Sequence, residues 1–502
     1  MSSKVPNPAE IQKEIDQFLK QKYGDRVVTQ NPDILHPPEQ GQPGEDQTAN
    51  INFDLKPEEL EAYLNQYIIN QELAIEVLAT KICTHFNRMK LETRGNMDEL
   101  VGNIKSNILM IGPTGVGKTY LVRLIAKKIG VPFVKGDATK FSETGYVGGD
   151  VEDLIRDLVR EAGGNIKLAE YGIVYLDEID KIAATSHTYG PDVSRTGVQR
   201  NLLKLMEESD VDLKTPHDLA AQMEAAMEAQ RTGKIKRKKI NTKNILFVMS
   251  GSFSGMVDII KKRLNQHAIG FGSHPTIGTD GGDVDYLALA KSEDFITYGF
   301  ESEFIGRLPV QVRLNELDAE SLYQILKSPQ STVILGKKRD FQAYGIELNF
   351  EDDALRQMAE LGYHEKTGAR GLVTAAEKIL LKYEKKLPST TIKSFTVTST
   401  MVLTPEKELD ILLNRHSMKQ FQKDFLASTG IVITFTPGAQ KVILDKAKQK
   451  KSTFQAICRE LFADYEYGLK LIDIPEFTID EKVLENPQGQ LEALIKQTYH
   501  SK

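Results

Sequence analysis

The sequence predicts an α/β protein: a large domain built on a parallel sheet around a phosphate-binding loop, then a smaller helical domain with a short sheet. Three observations predict it. Asn107–Ile111 is a short apolar run of strand character, Gly112–Gly117 is a glycine-rich turn, and Lys118 and Thr119 open a segment with helical apolar spacing (Leu121, Leu124, Ile125, Ile129). That order is the G-x-x-x-x-G-K-T loop. Ile173–Leu176 is a second buried-strand run, and it ends in Asp177-Glu178-Ile179-Asp180. Asn244–Met249 is a third, and from Leu314 the pattern turns to helices with two strand-like stretches, Ile346–Phe350 and Phe395–Thr398.

The chemistry follows from the residue types. Glycines let a backbone wrap closely around phosphates, so that N–H groups and the positive end of the next helix face the anion. This assigns ATP contacts to Gly112, Pro113, Thr114, Gly115, Val116, Gly117, Lys118, Thr119 and the adjoining Tyr120, with the Thr119 hydroxyl as a Mg²⁺ ligand. Two carboxylates at the C-terminal edge of a parallel strand are the natural partner of that loop. Asp177 is expected to hold Mg²⁺, directly or through water, and Glu178 to act as general base on the attacking water.

Bulk properties bound the remainder. At 502 residues the chain has room for about three domains, with 40% hydrophobic and 27% charged residues, as in ordinary globular proteins. No apolar run approaches a membrane span, and the opening MSSKVPNPAEIQKE has no signal core, so a cytosolic protein is expected. Lys plus Arg at 64 against Asp plus Glu at 70 argues against general nucleic-acid binding. Two cysteines, Cys83 and Cys458, make neither a disulfide framework nor a four-cysteine zinc site, and read as packed residues.

In chain order, residues 1–50 hold a candidate amphipathic helix (Ala9–Tyr23) and a linker-like stretch, HPPEQGQPGEDQTAN. A helix is expected from Lys56, with Pro57 at its first turn, followed by YIINQELAIEVLA. Tyr67, Ile68 and Ile69 are candidates for an adenine contact; plain core residues are the competing reading. Val131–Val134 reads as a short strand. In GYVGG, Tyr146 and Val147 sit among Gly145, Gly148 and Gly149, which by local features alone is a hairpin turn with a surface tyrosine. Gln199–Glu208 reads as helix. Asp210–Lys239 looks like an insertion, with a helix start at Thr215, Pro216 and Asp218 and a stop at Gly233. Its basic end (Lys234, Lys236, Arg237, Lys238, Lys239) is either a solvated loop or a cationic loop facing a partner. Ser250, at the polar end of the third strand, could sense a terminal phosphate. Ile269-Gly270-Phe271 is an apolar tripeptide in a stretch rich in Gly, Thr and Asp. Arg307, in FIGRLP, is either a local salt-bridge partner or an arginine acting in trans. Gly345, Ile346, Phe350 and Ala354 recur 85 residues later as Gly430, Ile431, Phe435 and Ala439, and the same step takes Arg370 to Gln455. The tail is therefore either a degenerate copy of the small helical domain or a coincidence of two ordinary patterns.

Taken together, GPTGVGKT, ATKFSETGYVGGDVEDLI, GIVYLDEIDKI, AIGFGS, ESEFIGRLPV and EKTGARGL, in that order, closely resemble the AAA+ protein unfoldases of the ClpX family, from about Asp54 to Thr398. The resemblance implies a P-loop ATPase domain with a small helical lid, assembled as a ring-shaped homo-hexamer. It implies that Tyr146 and Val147 grip polypeptide in the axial pore, that Arg307 acts on ATP in the neighbouring subunit, and that Arg370 senses nucleotide. Ile269, Gly270 and Phe271 match the loop by which that family docks on its peptidase, ClpP. The sequence departs from the family in four places. No cysteine precedes Cys83, so the family's N-terminal zinc module is absent; Asn70 stands where the family usually has glycine; the segment 209–239 is longer than the family's second pore loop; and the tail beyond about residue 405 has no family counterpart. ATKF and IRDL also resemble the sister unfoldase HslU, which is expected to carry a large inserted domain and to lack the docking tripeptide.

The function implied is an ATP-dependent unfoldase that threads polypeptides through a pore, as the motor of a ClpP-type protease. A free-standing remodeller and a nucleic-acid-stimulated ATPase are the alternatives. The expected domains are 1–53 (segment and linker), 54–315 (large ATPase domain, insertion about 209–239), 316–404 (small helical domain) and 405–502 (C-terminal extension).

Overall fold

The computed structural model describes residues 54–93, 105–141, 149–184, 193–213, 238–267, 285–450, 452–472 and 474–500. The expected N-terminal helix and linker, Tyr146, Val147, Ile269, Gly270, Phe271 and most of the 209–239 insertion lie outside them.

Two helices, α1 (Pro57–Leu64) and α2 (Glu72–Thr93), lead into β1 (Ile108–Ile111), α3 (Lys118–Ile129), β2 (Phe133–Asp137), α4 (Asp153–Glu161), β3 (Ile173–Asp177), α5 (Val193–Met206), the antiparallel pair β4 (Asp210–Asp212) and β5 (Lys239–Asn241), β6 (Leu246–Gly251), α6 (Met256–His267) and β7 (Val310–Arg313). The central sheet has five strands in the order β2-β3-β6-β1-β7, and every pairing is parallel. Parallel sheets are covered on both faces, so central strands read as unbroken apolar runs, and all four residues of β1 are buried. Side chains alternate between faces: Ile108, Met110, Tyr175 and Val248 pack beneath α1, α2 and α3, whereas Leu109, Ile111, Leu176 and Met249 pack against α4, α5 and α6.

β2 starts two residues later than the apolar run suggested and continues through Lys135-Gly136-Asp137. It is the sheet's edge, where polar side chains stay wet, so burial does not mark its end. The expected insertion begins and ends in the β4–β5 pair, with Asp210 opposite Asn241 and Asp212 opposite Lys239.

The lid follows: α7 (Ala319–Lys327), α8 (Thr332–Gln342), β8 (Glu347–Phe350), α9 (Asp352–His364), α10 (Arg370–Lys386), β9 (Ser394–Val397) and α11 (Ser399–Leu403). Its apolar core is continuous with the α1–α3 face of the sheet. The tail then forms α12 (Pro405–Thr429), β10 (Val432–Phe435), α13 (Pro437–Gln449), α14 (Phe454–Leu461), α15 (Tyr465–Ile472), β11 (Glu476–Ile479), α16 (Glu481–Glu485) and α17 (Pro487–His500).

Lid and tail match at hydrogen-bond resolution. β8 pairs with β9 in parallel, Leu348 opposite Phe395; β10 pairs with β11 in parallel, Ile433 opposite Phe477. Each first strand follows a left-handed glycine, Gly345 (φ 71°) and Gly430 (φ 76°). Tyr383 donates to the Pro405 carbonyl (3.0 Å) and its ring lies 5.6 Å from Phe395; Tyr465 donates to the Pro487 carbonyl (2.8 Å) and lies 5.7 Å from Phe477. The nucleotide-side features are not repeated. The break between α7 and α8 has no counterpart, because α12 runs unbroken through the corresponding positions. Gln455, in the place of Arg370, donates to Asp424 (2.8 Å), and the adjacent Phe454 is buried.

The expected boundary at residue 405 falls at the start of α12, a helix that serves both units. Leu409, Leu412 and Leu413 belong to the lid's core, and Met418, Phe421 and Phe425 to the tail's own core.

Candidate functional site

A cleft of about 500 Å³ opens between the C-terminal ends of the sheet strands and the lid, the usual place for a ligand in an open α/β fold. One end is apolar, with Ile68, Ile69, Leu317, Ile325 and Val333; the other holds Lys118, Thr119, Asp177, Glu178 and Arg370. Tyr67, Tyr120 and the loop from Thr114 to Gly117 complete the wall.

The phosphate loop is built as its glycines require. Gly115 (φ 80°) and Gly117 (φ 97°) occupy left-handed backbone, and α3 starts directly after Gly117, so its free N–H groups face the cleft. Lys118 Nζ donates to the Gly112 and Pro113 carbonyls (2.7 and 2.8 Å). Burial depresses its pKa, against the pull of Asp177 and Asp180. A cation so held back toward neutrality gains by meeting an anion.

The lid touches this loop through backbone. The Ala369 N–H donates to the Gly115 carbonyl (2.9 Å), Gly368 is itself left-handed (φ 58°), and a Cβ at Gly115 would overlap the Thr367 carbonyl. Arg370 enters the cleft from the first turn of α10. Asn70 takes φ 61° and donates to Ser321 (3.1 Å). Glycine adopts that backbone freely and asparagine tolerates it, so the turn before the phosphate loop keeps its shape.

Asp177 is the most heavily bonded carboxylate of the cleft. Its Oδ1 accepts from Ser250 (2.7 Å) and from the Glu178 N–H (3.2 Å); its Oδ2 lies 3.1 Å from Lys135 Nζ and 3.5 Å from the Thr119 hydroxyl. Burial works to raise this carboxyl, but the bonds from Ser250 and Lys135 outweigh it and hold it below the usual range. Tyr175 accepts from Thr119 (3.1 Å) and, since the Ser250 hydroxyl donates to Asp177, itself donates to Ser250 (2.7 Å), which closes the network. Glu178 is exposed to the cleft at φ 57°, a backbone that a glutamate adopts only at a cost, as is common where a side chain is aimed for function.

Two expected residues stand elsewhere. Ser250 is fully buried behind the cleft wall and bonds Asp177, so any contact with phosphate would run through that carboxylate. Arg307 lies at the other end of the strands: its carbonyl accepts from Asn107, just before β1, and its guanidinium pairs with Glu207 (2.6 Å). Among the described residues it is not part of this cleft's lining.

Comparison with known proteins agrees with this geometry. Residues 103–311 match the model of the AAA domain (Cdc48 subfamily), and residues 317–386 that of the C-terminal, D2-small domain, of ClpB protein. The ATP-dependent Clp protease ATP-binding subunit ClpX of Borrelia duttonii is 38% identical over 375 residues, covering 73% of this chain and 83% of that protein. Its counterpart from Borrelia recurrentis matches to the same extent, and that from Treponema denticola is 36% identical over 335 residues, 66% of this chain and 77% of that protein. The chain belongs to the ClpX family. It has the AAA+ fold expected from the sequence, an α/β nucleotide-binding domain with a helical lid, and it is an ATPase of that class.

Sequence reading missed several residues that ClpX-family membership alone does not point to. Lys135 and Tyr175 join the Asp177 network only through strand register, Lys135 beside Tyr175 and Asp137 beside Asp177. The one local signal was alternation: Tyr175 stands two residues before Asp177 and shares its face. Leu317, Ile325 and Val333 enter the cleft from the lid and carry no motif.

Proposed function

We propose that the chain is an ATP-driven protein unfoldase that works as a ring-shaped hexamer and passes polypeptides through its pore into a ClpP-type peptidase. The observation that carries this is the lid's backbone bond to the phosphate loop, Ala369 to Gly115, which ties nucleotide occupancy to lid position. The names of the relatives, ATP-binding subunits of an ATP-dependent Clp protease, support the peptidase.

In this reading Ile68, Ile69 and Tyr67 receive the base, and the loop N–H groups and Lys118 hold the phosphates. Glu178 orients and deprotonates the attacking water. Arg370 reports the nucleotide to α10, and Arg307 leaves Glu207 to serve the site of the neighbouring subunit. Thr119 and Asp177 offer one hydroxyl and one carboxylate, a hard-oxygen pair suited to Mg²⁺, which keeps most of its shell for phosphate and water. When bound, that ion neutralises charge developing on the phosphates. Tyr146 and Val147 grip substrate, and Ile269, Gly270 and Phe271 dock the peptidase. No helix among the described residues is long and apolar enough to cross a membrane, and we place the protein in the cytoplasm.

Degradation of a tagged fluorescent protein, with the host's own ClpP added, tests this. Tyr146→Ala should leave basal ATPase near wild type and cut unfolding at least about tenfold, since its side chain is assigned to substrate. Phe271→Ala should leave ATPase and unfolding intact while degradation stops. Unfolding at the wild-type rate by Tyr146→Ala would return that residue to an ordinary turn. No degradation by the wild type would make this a free-standing remodeller.

Residues 54–315 and 316–404 are assigned as motor and lid, and the tail as a copy of the lid without a nucleotide face. Because α12 contributes Leu409, Leu412 and Leu413 to the lid, the deletion that tests this removes 419–502. ATP affinity should stay within about twofold of wild type, as none of the tail's described residues lines the cleft. A tenfold loss with the hexamer intact would contradict it.

A further inference from the structure

The carboxylate assigned to the metal already has a cation beside it. Lys135 stands on the edge strand β2, in register with Tyr175, so it shares a face with Tyr175 and Asp177. Its ammonium lies 3.1 Å from Asp177 Oδ2, the oxygen that faces the Thr119 hydroxyl, while Ser250 and the Glu178 N–H occupy Oδ1. The oxygen that Asp177 and Thr119 could offer jointly to a hard cation is thus the one that Lys135 neutralises. Lys135 also has somewhere else to go. Its side chain is 38% exposed, against 20% for Asp177, and on its outer side it lines an open groove of about 590 Å³ whose wall carries Arg123, Lys127 and Glu161.

We infer that Lys135 is a positioning residue that stands in for the divalent cation at Asp177 while the site holds none, and that it withdraws toward the groove when a cation is taken up. The inference rests on reading the cleft as a nucleotide site. It carries two consequences of opposite sign. Cation uptake has to displace the ammonium, so removing Lys135 tightens metal binding. Without metal, an unneutralised Asp177 repels the phosphates, so removing Lys135 weakens metal-free nucleotide binding. A lysine that merely supported the fold would weaken both together.

The test uses the full chain with Lys135→Met and Lys135→Gln, which remove the charge, and Lys135→Arg, which keeps it. Mn²⁺ binding in the presence of ADP is followed by electron paramagnetic resonance, and ADP binding in excess chelator by calorimetry. The two neutral variants should bind Mn²⁺ about three- to tenfold more tightly and metal-free ADP more weakly by a similar factor, in line with a partly exposed charge pair. Lys135→Arg should stay within about twofold of wild type in both. Unchanged or weaker Mn²⁺ binding by both neutral variants, with wild-type binding normal, overturns the inference alone. Wild-type protein that bound no ADP under either condition would overturn the nucleotide reading and this inference with it.

Discussion

Lys118→Ala should lose nucleotide affinity by about a hundredfold, while Glu178→Gln should bind nucleotide normally and hydrolyse it at least about a hundredfold more slowly. The two differ because the structure gives them different work. Lys118 is a part-buried ammonium folded onto the Gly112 and Pro113 carbonyls, and it exchanges those neutral acceptors for charged oxygens when a phosphate arrives. Glu178 makes no bond to the loop; its N–H braces Asp177 and its carboxylate stands exposed in the cleft, where a water could be oriented. Calorimetric ADP binding and a coupled ATPase assay separate the two. Equal loss of binding in both variants would defeat the assignment of roles.

The second large effect belongs to a residue with no side chain. Gly368→Val should cut nucleotide affinity at least about tenfold while circular dichroism stays close to wild type. At φ 58° a β-branched residue is strained by about 1–2 kcal/mol, and the new Cβ would also meet the Gly115 backbone at 2.8 Å. Strain alone is measured by a matched control, Gly430→Val, at φ 76° with nothing within 4 Å of its Cβ. That change should lower melting temperature by a few degrees and leave nucleotide affinity alone. If both variants bound nucleotide equally well, the lid-to-loop contact would not matter to the site.

How much of this was legible depends on how local the chemistry is. The phosphate loop, the acidic strand end and the apolar strands could be read directly, because each feature sits on consecutive residues. The recurrence of Gly345 as Gly430, with Ile, Phe and Ala, left a degenerate copy and a coincidence both open; each of these glycines precedes a strand that pairs in parallel, β8 with β9 and β10 with β11. Lys135 was not legible as part of the site, since its relation to Asp177 exists only once β2 lies beside β3. Arg307 remained ambiguous between two readings, and in the single chain it is a salt-bridge partner of Glu207. The boundary at 405 misled because Pro405 marks a helix start and not a change of core: the helix it opens spends its first turns in one core and its last in the next.

That shared helix has a mechanical meaning. Its 25 residues span about 37 Å at 1.5 Å per residue, with one end fixed in the lid's core and the other in the tail's. It is therefore a stiff lever hinged on the last turns of α10, where Tyr383 donates to the Pro405 carbonyl, at the opposite end of that helix from the phosphate loop. A lid rotation of about 10° would sweep its far end through about 6 Å on that geometry, carrying the tail with it. Any rotation of the lid over the cleft would then reach the tail magnified.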